Sequence, residues 1–386
     1  MSIEASRPVS DWVSPEFLAD PYVYYRRLRE SDPVHFDKAR GSWVLTRYAD
    51  VAAALRDDER LSAEQQPVAT SMLVSDPPDH TRLRSLVAKA FTPRTVSQLT
   101  PRIHDIVDGL LNDASTRGEM DAIAEFAYPL PITVIAELLG VEPERREFFR
   151  SESQKIAVAL GPITDPMVAM RATEGRNELL AYFSMLIEKR REAPRDDLIS
   201  ALVQAEDRGD FLNHGELLAM LLLLLVGGHE TTVNLIGNGL LALLRHPDQL
   251  ERLRTQDGIE KRAVEELLRF DSPVQYSGRV VATDFELGGK RIRAGEGVRM
   301  ILGAANRDPE VFADPDMLDI SRDPCPHLAF GAGIHFCLGA QLARLEAQIA
   351  LPAVVRRFPE LRIATDDLRW RPAAVLRGLE ALPVAF

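Results

Sequence analysis

The chain has 386 residues, 46 % of them apolar and 27 % charged, an ordinary globular composition with enough length to enclose a large prosthetic group. A formal net charge of -12 argues against nucleic acid as the main partner, because that role needs clustered basic residues. The two cysteines, Cys325 and Cys337, make no disulfide framework and fit a reducing compartment.

The opening residues have no apolar signal core. The longest apolar run, 217–226, falls short of the roughly 18 residues that a membrane span needs. A cytoplasmic protein that does not cross a membrane is expected. A loose arm leads to a short helix over 21–29. Strand-like pieces over 34–36 and 42–46 flank a polar turn and predict a hairpin. A short helix over 50–56 and a long loop over 57–75 follow. Helices are predicted over 80–91, 96–115, 123–139 and 143–159. The stretch 161–166 breaks the pattern, and helices resume over 167–191 and 197–206. Asn213 with Glu216 reads as a capping box, and no strong stop appears before His246-Pro247. That helix has about 32 residues, or roughly 48 Å, and its leucine-rich first half predicts burial on every side. Two more helices fit 247–269. Strands are predicted over 280–283, 285–287 and 297–301, an irregular stretch over 306–336, a helix over 338–358, and a tail of short strands and turns. The sum is mainly α with a minor β portion, read as one domain over 1–386.

Cys337 ends a glycine-rich loop, Phe330-Gly331-Ala332-Gly333-Ile334-His335-Phe336-Cys337-Leu338-Gly339. Glycines permit positive φ and close backbone approach, which a flat macrocycle lying on the loop would need. The following helix start favours negative charge and predicts a lowered thiol pKa. A buried structural thiol accounts for the same residues. Cys325, between two prolines, has no such setting.

The central helix carries Gly227-Gly228-His229-Glu230-Thr231-Thr232. A glutamate inside an apolar helix is costly unless paired or hydrated, and Thr231 can bond back to the Gly227 carbonyl. Close helix packing is the simpler reading of the glycines. Glu266 and Arg269 lie three apart and share a face, as do His80 and Arg84 four apart, and the latter two donors suit a carboxylate.

The segment 330–339 resembles the haem-binding signature of the cytochrome P450 family, Phe-Gly-x-Gly-x-His-x-Cys-x-Gly, at every defined position. That resemblance implies a P450 fold with the long central helix over b-type haem (iron protoporphyrin IX). Cys337 would be the axial thiolate and metal ligand, with Phe330 and Gly331 on the sulfur side. A thiolate ligand favours O–O cleavage. His335 resembles a histidine that meets a haem propionate. Gly227 through Thr231 resembles the family's oxygen groove, which implies a notch for dioxygen at Gly227, with Thr231 ordering the distal hydrogen bonds and Glu230 helping to deliver protons. Glu266-Leu267-Leu268-Arg269 resembles the Glu-x-x-Arg core motif, with Arg322 as its third member. Residues 76–84 look like the propionate-binding helix, pointing to His80 and Arg84, and Arg279 resembles a further propionate arginine. Arg82 and Lys89 would lie near the docking surface for an acidic redox partner.

By the same resemblance, the chain is a stand-alone bacterial-type haem-thiolate monooxygenase, expected as a monomer. It would take electrons from NAD(P)H through a ferredoxin and a ferredoxin reductase. It would activate O2 with two electrons and two protons and hydroxylate or epoxidise an apolar polyketide, terpenoid, steroid or fatty acid. Family positions put the pocket at Met72, Leu73, the breaker region 157–170, Leu223, Val226, Gly227, Val274, Gln275, Tyr276, Val375 and Leu376. A peroxide-driven enzyme or an atypical oxidation such as aromatic coupling is the nearest alternative. A haem sensor and a purely structural helical protein are more distant ones.

Overall fold

The computed structural model describes residues 12–64, 71–160, 165–207 and 212–386. Its axis is the helix His214–Arg245, started by the expected capping box: Asn213 Oδ1 accepts from Glu216 N–H at 2.9 Å, and Glu216 Oε2 accepts from Asn213 N–H at 3.0 Å. The helix is buried along most of Leu217 to Leu243, as the nearly all-leucine sequence of its first half requires. Pro129–Leu139, Arg146–Val158, Pro166–Glu192 and Ala340–Arg357 pack around it. Ala122–Leu139 and His214–Arg245 are apolar enough for a membrane, yet 72 % of the tested window in each is buried within the protein.

Several predicted helices are divided. The helix expected over 80–91 is α over Asp79–Ala88 and 3-10 over Lys89–Phe91. The one expected over 96–115 is split into Pro93–Gln98 and Thr100–Ser115. The one expected over 123–139 opens with a π turn, Ala122–Ala127. Gly237 of the central helix lies against that turn, where a Cβ would meet Ile123 Cδ1 at 2.4 Å.

The expected hairpin is present, Val34–Asp37 antiparallel to Ser42–Leu45. Ser42–Leu45 then pairs in parallel with Gly297–Ile301, a long-range match that periodicity could not give. Tyr276–Val281 joins antiparallel to Gly297–Ile301, with Arg279 opposite Val298, and Leu61–Ser62 closes the five-stranded sheet. The tail strand Pro383–Ala385 lies between Glu119–Asp121 and Arg362–Ile363. Most of the described residues are helical, with a smaller sheet portion.

Candidate active site

The cysteine loop is shaped by its glycines. Gly331 and Gly333 have φ of 71° and 70°, left-handed values that a side chain resists. At Gly333 a Cβ would lie 2.6 Å from Leu55 O, so the close approach there is to the protein's own backbone. Cys337 N–H donates to Phe330 O at 3.0 Å, closing the loop. The Ala340–Arg357 helix begins just beyond, with Gly339 as its N-cap.

Cys337 is open on one side. Protein crowding it from the others raises its thiol above the ordinary range, while Gly339 N–H, Arg84 and Arg344 pull the other way. The expected lowering is therefore reversed: helix start and cations moderate the burial but do not overcome it. Beneath the loop, Arg344 lies 4.5 Å from the Phe330 ring and holds Glu265 with Nε and Nη2 at 2.7 and 2.8 Å. Cys325 lies apart, 3.8 Å from Glu266 Oε2, with its thiol pushed up to about 12 by burial and then by Glu266.

Four predicted side chains gather beside this loop. The His80 and His335 rings are 4.4 Å apart and tilted at 58°. Both ring nitrogens of His80 and Nε2 of His335 are buried without a protein partner. Arg84 Nη2 donates to Phe336 O at 2.8 Å, next to Cys337. Arg279, on the sheet, donates to Ser277 Oγ at 3.1 Å and Gly278 O at 2.8 Å. Burial and then Arg84 push the His80 pKa down. Burial, Arg279 and His80 push His335 down to about 3. Buried donors without acceptors and a surplus of positive charge suit two carboxylates. An open thiol beside them suits a haem, so the residues present fit that group.

On the central helix, the two glycines divide the two readings of their motif. A Cβ at Gly228 would press on Ile135 at 3.1 Å, which is helix packing. At Gly227 the nearest such atom is Leu223 Cδ1 at 3.8 Å, and the residue is exposed beside buried Val226, a cradle that a side chain would fill. Thr231 Oγ1 donates back to Gly227 O at 2.9 Å. Glu230 is fully buried. Its Oε2 accepts from Arg371 Nη1 at 2.8 Å, and His229 Nε2 lies 3.4 Å from Oε1. Burial works against its charge, but His229 and Arg371 outweigh it and hold the carboxyl below the usual range. Arg371 went unnoticed in the sequence, since nothing local marks a tail arginine as the partner of a mid-helix acid.

The Glu266–Arg269 pair is fully buried at 2.7 Å, and Arg322 Nε reaches Glu266 Oε2 at 3.0 Å. Arg82 is half-buried, and its guanidinium is shared: Nη2 and Nε lie 2.7 and 3.1 Å from Oδ1 of exposed Asp79, while Nη2 lies 2.6 Å from Glu216 Oε1 and Nη1 3.1 Å from Oε2. Lys89 is exposed.

The predicted pocket residues divide. Met72 and Val226 are buried, Leu223 is half-buried and Leu73 is exposed. Met72 N–H donates to Met220 Sδ on the central helix at 3.5 Å. Val274 bridges to Leu376, and Gln275 N–H donates to Val375 O at 2.8 Å. The Gln275 and Tyr276 side chains belong instead to the N-terminal cluster: Gln275 Nε2 reaches Ser272 O and Tyr22, and Tyr276 packs edge-on to Trp12 at 5.4 Å. Of the breaker region, Gly161 and Pro162 lie outside the described residues, and Pro166 opens the helix Pro166–Glu192.

A sequence profile described as Cytochrome P450 matches residues 161–257 and 259–368. Cytochrome P450 107B1 of Saccharopolyspora erythraea is 48% identical over 393 residues, covering 95% of each chain. Vitamin D(3) 25-hydroxylase of Pseudonocardia autotrophica is 44% identical over 395 residues, covering 97% of this chain and 96% of the other. The solved structure of the Bacillus subtilis 168 bacillaene polyketide synthase cytochrome P450 PksS superposes with a TM-score of 0.90 at 42% identity, covering 97% of this chain and 98% of the other. The chain belongs to the cytochrome P450 family of haem-iron monooxygenases.

Proposed function

We propose that the chain is a single-domain haem-thiolate monooxygenase that hydroxylates or epoxidises an apolar small molecule. The observation that carries this reading is the cluster beside Cys337: His80, His335, Arg84 and Arg279, with buried histidine nitrogens that no protein atom satisfies. Cys337 would ligate the iron, and the four basic side chains would take the propionates. When bound, the haem supplies the activation of O2 and the transfer of one oxygen atom.

The other roles belong to the chain itself. Gly227 leaves room on the central helix for a small molecule. Thr231, held by the Gly227 carbonyl, presents its hydroxyl oxygen as an acceptor in a fixed place. Glu230 is the buried acid that would deliver protons to the site. Met72, Leu223, Val226, Val274, Val375 and Leu376 would supply apolar walls that exclude water and orient the substrate. The substrate would be a polyketide, terpenoid, steroid or fatty acid, and relatives named for vitamin D(3) and for a polyketide synthase support the polyketide and steroid-like members of that set. The protein would work in the cytoplasm as a monomer, supplied with electrons from NAD(P)H by a ferredoxin and its reductase.

The test is a substrate screen followed by turnover under labelled O2. The expected result is a spin-state change with an apolar ligand, then one labelled oxygen in the product with ferredoxin and reductase present. Full turnover from peroxide alone, with none from the electron chain, would contradict it.

A further inference from the structure

Glu230, Asn234 and Asn238 follow at four-residue spacing and share one face of the central helix. All three are buried. The C-terminal tail lies along this polar stripe. Asn238 Nδ2 donates to Arg377 O at 2.9 Å. Gly378 sits so close that a Cβ there would lie 1.9 Å from Asn234 Oδ1. Arg371 is fixed to the same turn: its N–H donates to Gly378 O at 2.9 Å and its Nε to Leu379 O at 3.1 Å. The helix thus clamps the tail, and the tail aims Arg371 Nη1 at Glu230 Oε2, 2.8 Å away.

The two oxygens of Glu230 are not equivalent. Oε2 is taken by Arg371, while Oε1 is buried without a hydrogen-bond partner and lies 3.4 Å from His229 Nε2. His229 Nδ1 faces Leu225 O at 2.6 Å, and a carbonyl only accepts, so Nδ1 carries a hydrogen. Nε2 also lies 3.0 Å from Ser153 Oγ. Arg371 is 18% exposed and lines a shallow surface crevice with Phe17, Gln275 and Trp370. It therefore joins a fully buried acid to the outside.

We propose that Arg371 is a positioning residue for Glu230, pinning Oε2 and leaving Oε1, beside His229, as the oxygen that exchanges protons. This rests on the proton role proposed above for Glu230. A tail arginine that served only folding would change stability and haem content, but not the state of the acid. Without its cation, a carboxyl buried this deeply takes up a proton.

The experiment compares R371Q, R371M and R371K with E230Q in haem-loaded full chain. Product formed per NAD(P)H consumed and the solvent isotope effect are read alongside the infrared carboxyl bands of the resting protein. Coupled turnover should fall by about a hundredfold in R371Q and R371M, the lower end of what a positioned proton-transfer group contributes. The isotope effect should rise. A protonated carboxyl band should appear that the R371Q/E230Q double variant lacks, and R371K should recover part of the coupling. R371M keeps an apolar stem in the same space, so one folded variant of the pair suffices. Turnover falling only in step with haem content, with no new band, would overturn the proposal. Loss of coupling in E230Q but not in folded R371Q or R371M would overturn Arg371 alone. Normal coupling in E230Q would instead refute the proton role of Glu230, with the infrared band still reporting whether Arg371 holds the acid.

Discussion

Two buried charged clusters flank the same loop and differ in one respect. Around Glu266 every group is matched. Arg269 uses all five of its N–H donors, two on Glu266 and one each on Asn306 O, Pro315 O and Met317 O. Glu266 also accepts from Asp319 N–H and Arg322. Around His80 the ring nitrogens meet no protein partner, and His335 leaves Nε2 unmatched. A closed network of this kind holds chain segments together. An open one, buried and basic, is completed by something that is not protein.

The largest effect should come from breaking the closed cluster. Glu266→Ala leaves Arg269 charged, buried and short of acceptors, which costs about 3–5 kcal/mol. The purified variant should have lost its haem, and normal haem content would refute this. The open cluster should respond in the opposite sense. His80→Leu removes unsatisfied polar atoms, so the apoprotein should unfold in urea no earlier than wild type. The variant should release haem to a scavenging protein about tenfold faster, the equivalent of one hydrogen bond to a charged group, about 1.5 kcal/mol. An apoprotein weakened as severely as Glu266→Ala would erase the distinction.

A half-exposed cluster should fall between the two. Burial raises the Glu265 pKa, but His327 and Arg344 outweigh it and bring it to about 2. The folded value lies below the unfolded value of about 4.3. The stabilisation is therefore full above about pH 4.3 and is lost as pH falls toward about 2. Screening keeps it near ~1 kcal/mol. Urea titrations of wild type and Glu265→Gln should converge in that acid window, and a constant gap would contradict the assignment. Arg82→Ala should cost less than the loss of Glu265, about 0.5 kcal/mol through the lost Glu216 and Asp79 pairs, and the cost should shrink in high salt.

What could be seen in the sequence depended on separation along the chain. The Asn213–Glu216 cap, the Thr231 bond to Gly227 and the Glu266–Arg269 pair each span three or four residues, so helix geometry alone reaches them. The thiolate loop stands out because six defined positions within ten consecutive residues match a known signature. Arg371 with Glu230 and Arg82 with Glu216 lie far apart in sequence, and only the folded chain sets their distances. Gln275 and Tyr276 misled for a related reason. Tyr276 begins the strand that carries Arg279, with Gln275 just before it, but their side chains serve the N-terminal aromatic core. The stripe Glu230, Asn234, Asn238 was readable as a helix period, yet its meaning depended on a tail more than a hundred residues away.

The central claim is that Cys337 is the iron ligand in a haem site completed by the open cluster. The most direct measurement is the absorption spectrum of the reduced, carbon monoxide-bound protein, compared with that of Cys337→Ser. Wild type should show the red-shifted Soret band of thiolate-ligated haem, and the variant should lack it while staying folded. A folded, haem-reconstituted wild type without that band, or a Cys337→Ser variant that keeps it, would contradict the account.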